Sequence, residues 1–150
     1  MTLRSVPQQF WRSWEDVPEE VPQDMLHLKF FVEAFACKAH LTRAVRRKGK
    51  FAVLPPIEVD MSEEVPNPAD LLHPDVRRKL EAWLRAGVIK WVHFGTPCTS
   101  FSIARKDDGG PPPVRDAERL YGVPDLTDGD RRLLEMGTLL MQVTVQLALL

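Results

Sequence analysis

Residues 74–98 read PDVRRKLEAWLRAGVIKWVHFGTPC, and the fold follows from that stretch. Pro74 suits a first helical position, Val76, Leu80, Trp83 and Leu84 recur on one helical face, and Gly87 supplies a stop, so a helix is expected there. Val88 to Phe94 then forms a short apolar run, too brief for a helix and bounded by Gly95-Thr96-Pro97, which predicts a buried strand. A helix leading directly into a buried strand is half of a β-α-β unit.

The other half lies upstream. His27 to Phe35 is rich in aromatic and β-branched residues and reads as a first strand, with Trp83 and Trp91 expected beside it in the core. Ala39 to Lys48 places Leu41 and Val45 four apart, sets Arg43, Arg46 and Arg47 elsewhere, and meets Gly49, which predicts a short helix. Phe51 to Leu54 is a second strand, closed by Pro55-Pro56 and followed by an acidic run. Residues 58–70 there hold five acids and no base. The order β-α-β-α-β implies a parallel sheet and an α/β domain. Downstream, Thr127-Asp128-Gly129-Asp130 resembles a capping box that opens a helix running to Leu150. Between Gly95 and Leu126 lies a segment of the length compact domains reserve for functional loops, with Gly109-Gly110-Pro111-Pro112-Pro113 at its middle. Residues 1–26 carry five acids, three prolines and no apolar period, so they read as an irregular arm before a domain over 27–150. Trp11 and Trp14 within that arm have no assigned role.

Composition narrows the function. The chain has 150 residues, 20 Lys+Arg against 21 Asp+Glu, and two cysteines, which excludes a disulfide scaffold. A formal charge of −1 excludes nucleic-acid binding through bulk charge, so such binding would need a local basic patch. The first twenty residues show no apolar signal core, and the stretch Leu133–Leu150 carries Glu135, Gln142 and Gln146. Neither a secretory signal nor a membrane span is read, and an intracellular protein, nuclear or cytoplasmic, is expected. Cys37 and Cys98 would then be free thiols.

Cys98 is the sharpest chemical feature, because an apolar strand delivers it to the carboxyl edge of a parallel sheet, where ligands bind. Gly95 and Pro97 would hold the sulfur out of the core, and neighbouring N–H groups would favour a thiolate nucleophile. The alternative is a structural thiol at a strand end. A cysteine phosphatase loop does not fit: six residues separate Cys98 from Arg105, that loop takes five, and it needs glycine to turn N–H groups toward the anion.

The stretch Gly95-Thr96-Pro97-Cys98-Thr99-Ser100-Phe101-Ser102 resembles the nucleophile motif Gly-x-Pro-Cys-x-x-Phe-Ser of DNA cytosine-5 methyltransferases. Phe35-Ala36-Cys37-Lys38-Ala39-His40-Leu41 is similar to that family's first motif, Phe-Ala-Gly-x-Gly-Gly-Leu, in frame at Phe35, Ala36 and Leu41. Its three glycine positions hold Cys37, Ala39 and His40, and a Cβ at such a turn stands in the path of a close backbone approach. The resemblance implies a three-layer Rossmann-like methyltransferase fold, incomplete at its C-terminal end, with S-adenosylmethionine as cofactor and DNA as partner. It implies that Phe35, Ala36, Leu41 and Pro97 frame the cofactor, that Glu58 holds its ribose, and that Asp70 lies near its adenine. Glu58 follows Cys37 by 21 residues, a spacing typical of a ribose-binding acid. Cys98 would attack C6 of a cytosine flipped from its helix, before methyl transfer to C5. Ser102, Arg105, Lys106 and Arg115 would contact the nucleic acid.

The resemblance spans about residues 29–150, the first half of such a catalytic domain. The family's Glu-Asn-Val motif, which protonates cytosine N3, lies beyond it, so this chain alone is expected to be inactive. Its last helix is expected to expose Leu140, Val143 and Leu147, and hence to favour self-association. A second reading, from another class, is a non-catalytic remnant of the fold that binds nucleic acid or protein. Two further features belong to neither reading. Lys38, Arg43, Arg46, Arg47, Lys48 and Lys50 form a basic block with no acid inside it, either a solvated helix face or a phosphate contact. Cys37 and His40 have half of a metal-site spacing but no second pair, so no metal is expected.

Overall fold

The structure, a computed structural model, describes residues 9–59, 69–101 and 109–150. Its elements are β1 (Phe30–Ala34), α1 (His40–Lys48), β2 (Ala52–Val53), α2 (Pro74–Arg85), β3 (Ile89–Phe94) and α3 (Asp128–Ala148), preceded by a single 3-10 turn at Gln23–Met25. The three strands form one all-parallel sheet in the order β2-β1-β3. The chain divides into two compact units, residues 1–95 and 96–149.

In the first unit every residue of β1 is buried, as a central strand with both neighbours paired requires. α1 ends at Gly49, whose left-handed backbone (φ 67°) places its N–H on the carbonyls of Arg46 and Val45. α2 begins at Pro74, and the His73 ring accepts from Asp75 N at 3.2 Å as the cap. Past Pro55-Pro56 the second strand resumes as isolated pairings, Ala34 with Ile57 and Glu58 with Asp70, both parallel. The sheet therefore extends at its carboxyl edge beyond the two-residue β2.

The arm is irregular in backbone, yet it supplies core. Trp14 is 1% exposed, its Nε1 donates to Pro55 O at 2.8 Å, and Val17 is buried with it. Trp11 meets Trp83 edge-on at 5.3 Å between ring centroids, and Phe30 meets Trp83 likewise at 5.1 Å. Such pairs each add about 0.5–1.5 kcal/mol beyond the area they bury. Lys79, on α2, donates to Trp14 O at 2.7 Å and Glu15 O at 3.2 Å, so its buried ammonium ties the arm down. Trp11 and Trp14 thus have structural roles in the first unit.

Trp91 corrects a sequence expectation: it is 64% exposed, while Trp83 is fully buried. Register explains the difference. Trp91 pairs with Phe31 and His93 with Glu33, so all four share one face, and α1 covers that face by packing over β1 and β2. β3 stands at the end of the strand order, outside that cover.

The second unit is organised by α3, whose cap is the expected one: Thr127 Oγ1 accepts from Asp130 N at 3.1 Å. Its buried stripe is Leu134, Gly137, Leu140, Val143 and Leu147. Leu140, Val143 and Leu147 are therefore not the exposed groups expected from the sequence; the chain itself covers that stripe, and Leu139, Val145 and Leu149 are exposed instead. The helix stops at Ala148, with Leu149 as its C-cap. Among the described residues, no helix is long and apolar enough to cross a membrane.

Candidate functional site

In the first unit, the site begins where β1 ends. Phe35, Cys37 and Ala39 all adopt left-handed backbone conformations, with φ of 60°, 47° and 50°. Each costs an L-residue on the order of 1–2 kcal/mol relative to right-handed backbone, so surrounding contacts must hold the turn. Ala36 N donates to Ile57 O at 2.9 Å, and Ala39 N donates to Ala36 O at 2.7 Å. Glu33, buried within β1, accepts from Thr42 N and from Thr42 Oγ1, both at 2.6 Å. That carboxylate sits at the start of α1, where orphan N–H groups and the helix dipole favour an anion. Above it, Arg43 donates to Lys38 O at 2.6 Å, and its second guanidinium nitrogen lies 2.8 Å from His40 Nδ1.

The order β2-β1-β3 reverses direction in the sheet at β1, and the crevice outside the carboxyl ends at such a reversal is where open α/β sheets take ligands. Gly95, just past β3, packs against this end: its N–H donates to Ala34 O at 3.0 Å, and a Cβ there would lie 3.2 Å from Phe35 O. On the other side of β1, Glu58 N donates to Ala69 O at 2.8 Å and Leu71 N donates to Glu58 O at 3.0 Å. The Glu58 residue is exposed; its neighbour Asp70 is fully buried, with Oδ1 accepting from Leu72 N at 2.8 Å ahead of α2. Of the two candidate acids, Glu58 alone reaches solvent. Phe35 is half-buried, Ala36 buried and Leu41 exposed, so the frame of the turn is brought together with Glu58 and Asp70 along one sheet edge.

The second unit holds Cys98, exposed, on a turn closed by Phe101 N donating to Cys98 O at 2.8 Å. Pro97 beside it is half-buried. Two anchors fix this turn to α3. Thr96 Oγ1 lies 2.8 Å from Thr144 Oγ1, and Ser100, 4% exposed, rests on Gly137, where a Cβ would stand 2.1 Å from its Oγ. Cys98 and Thr99 are presented between the two anchors.

Arg115 turns its donors inward. It donates from Nε to Ser100 O at 3.1 Å, from Nη1 to Leu120 O at 2.6 Å, and from Nη2 to Ser100 Oγ at 3.0 Å and Leu134 O at 3.1 Å. Its guanidinium also stacks over the Phe101 ring at 3.7 Å. Burial lowers its pKa from the usual arginine value. This cation is bound into the cysteine turn rather than held out toward a phosphate. Ser102, Arg105 and Lys106 lie outside the described residues.

Sequence reasoning missed Glu33 and the Ser100–Gly137–Arg115 cluster. Glu33 had a signal, a lone acid on the inner side of an apolar strand; Gly137 had one as a glycine deep in the interior of an apolar helix. A cleft of about 240 Å³ lined by Trp14, Glu15, His73, Asp75, Val76 and Lys79 lies outside the expected site, and its lysine is already satisfied by backbone carbonyls. Among the described residues, no group of three or more His, Cys, Asp or Glu side chains could hold a metal ion.

Compared with known proteins, the chain matches no family model, no curated protein and no solved structure.

Proposed function

We propose that this chain carries the amino-terminal part of a Rossmann-like methyltransferase domain of the DNA cytosine-5 type. The observation that carries the reading is the left-handed backbone at Cys37 and Ala39, two positions where the resembling motif places glycine. A turn that keeps a glycine conformation without its glycines, at strain, is what a ligand-binding turn altered in side chain but not in path would look like.

The residues fit an adenosyl cofactor by their chemistry. Glu58 presents an exposed carboxylate at the same sheet edge as the turn, suited to accept from a ribose diol, and Phe35, Ala36 and Leu41 supply the apolar frame. Asp70, buried in its own turn, would act by holding the Glu58 strand in place. S-adenosylmethionine, when bound, supplies an electrophilic methyl group. Cys98 would serve as the nucleophile at C6 of a cytosine extruded from its helix, with Pro97 stiffening the turn and Arg115 bracing it from below. DNA is the partner in this reading, and this chain's part of the reaction is to hold the cofactor and present the thiol.

Calorimetric titration with S-adenosylhomocysteine tests this without DNA or turnover. Binding by the native chain, lost in Glu58→Ala, is the expected result. No binding by a folded chain would overturn it in favour of a non-catalytic remnant of the fold, one that binds nucleic acid or protein.

A further inference from the structure

Next to this site, the most basic feature among the described residues is α1 with its flanks. Lys38, Arg43, Arg46, Arg47, Lys48 and Lys50 are all exposed, and no acid lies between residues 38 and 50. Among the described residues none of the six is paired with a carboxylate. Thr42 marks the inward side of the helix through its bonds to Glu33, so at 100° per residue Arg43, Arg47 and Lys48 fall on the outward half. Arg43 and Arg47 are four apart, and such like-charged neighbours repel.

Helix capping accounts for only part of this. Arg46, Arg47 and Lys48 in the last turn complement the negative end of the helix dipole. Lys38 and Arg43 stand at the positive end, where a cation is disfavoured, and Lys50 lies beyond the helix. Arg43 meets only neutral acceptors, Lys38 O and His40 Nδ1, and Arg46 donates to Gln9 Oε1 at 2.6 Å, so the charges themselves stay unneutralised. A surface that gathers them against both repulsion and dipole is suited to a partner that brings regularly spaced negative charge.

We propose that the outward ridge of α1 is a docking surface for the phosphodiester backbone of a nucleic acid, separate from the candidate methyl-transfer site and independent of that activity. Two of the ridge's three cations are arginines; the Arg43 guanidinium already meets Lys38 O and His40 Nδ1, which leaves the Arg47 fork to match phosphate oxygens two at a time. The nine-residue helix is about 13 Å long, enough to meet several phosphates of one strand. The outward half carries two apolar residues, exposed Leu41 and half-buried Ala44, far short of the apolar face by which a helix lies in a lipid interface. Directed at phosphate oxygens, these contacts would position a nucleic acid without selecting its sequence.

The test is fluorescence anisotropy of a labelled 20-base-pair duplex with the full chain across a salt series. Arg47→Gln/Lys48→Gln is compared with Arg131→Gln/Arg132→Gln, an exposed pair on α3 with the same loss of charge. Each phosphate contact contributes about 0.9 to the log–log salt slope, so the α1 variant is expected to lower the slope by about 2 and weaken binding about tenfold at low salt. The α3 variant should leave both within about twofold. Equal losses in the two variants, no duplex binding by the folded chain, or equal competition by polyglutamate or by anionic vesicles would each overturn the proposal. Glu58→Ala is expected to keep duplex binding on this ridge while losing S-adenosylhomocysteine, so the two readings fail separately.

Discussion

Gly137→Ala is the substitution on which local and tertiary effects most clearly oppose each other. In a helix interior the change should stabilise by about 1 kcal/mol, because glycine is the poorer helix former. Here the new Cβ would stand 2.1 Å from Ser100 Oγ and 3.1 Å from Ser100 Cβ. The serine hydroxyl must rotate away, and in doing so it gives up the bond from Arg115 Nη2 at 3.0 Å. A hydrogen bond to a charged group is worth about 1.5–3 kcal/mol, and the crowded Cβ pair remains, so the net expectation is a loss of about 1–2 kcal/mol. For a chain of this size that lowers Tm by about 2–8 °C. Chemical denaturation followed by far-ultraviolet circular dichroism, dominated by the 21 residues of α3, reads the change. In a Ser100→Ala background the hydroxyl is gone, and Gly137→Ala should cost no more than about 0.5 kcal/mol, giving a coupling of about 1–2 kcal/mol in the double-mutant cycle. A stabilised Gly137→Ala, or a coupling near zero, would refute the account of how the cysteine turn is anchored.

Ala39→Gly should stabilise the chain by about 0.5–1 kcal/mol, the relief of a left-handed alanine less the extra freedom glycine has when unfolded; urea denaturation showing a loss would mean that the turn is not strained. Trp14→Ala should cost about 3–5 kcal/mol, since it empties a buried site and leaves the arm unpinned, and a loss under about 1 kcal/mol would mean that the arm is not part of the core. Asp116 has its carboxyl pKa held below the usual range, chiefly by the hydrogen bond from the Arg119 side chain. A depressed folded pKa gives stability that is present above the unfolded value of about 3.9 and is lost as pH falls through the folded value. The urea midpoints of the native chain and Asp116→Asn should therefore differ at pH 7 and converge in strong acid; a gap that persists there would show that the pair does not act through charge.

The periodic parts of the fold are legible in the sequence. Pro74 and Gly87 bracket α2, Gly49 stops α1, and Thr127 caps α3, because each works through its own backbone or its near neighbours. What could not be read depended on which residues meet across the chain. Trp83 and Trp91 look alike in sequence, and only the strand order leaves one buried and the other open. Trp14 acquires its role from Pro55, forty-one residues away, and Lys79 from a carbonyl sixty-five residues away. At the candidate site, the edge position of Glu58 followed from its spacing after the first strand. The burial of Asp70 did not, because its carboxylate is taken up by the Leu72 N–H in a turn that no spacing rule specifies. The basic character of Arg115 suggested a ligand contact, while its surroundings turn it into a brace.

The central claim, that the turn after β1 and the exposed Glu58 form an adenosyl-binding edge, is tested most directly by amide hydrogen exchange of the chain with and without S-adenosylhomocysteine. The account predicts slowed exchange confined to residues 36–41 and 58, and none of it in Glu58→Ala. Unchanged exchange at saturating ligand, or slowing instead around Trp14, His73 and Lys79, would contradict it.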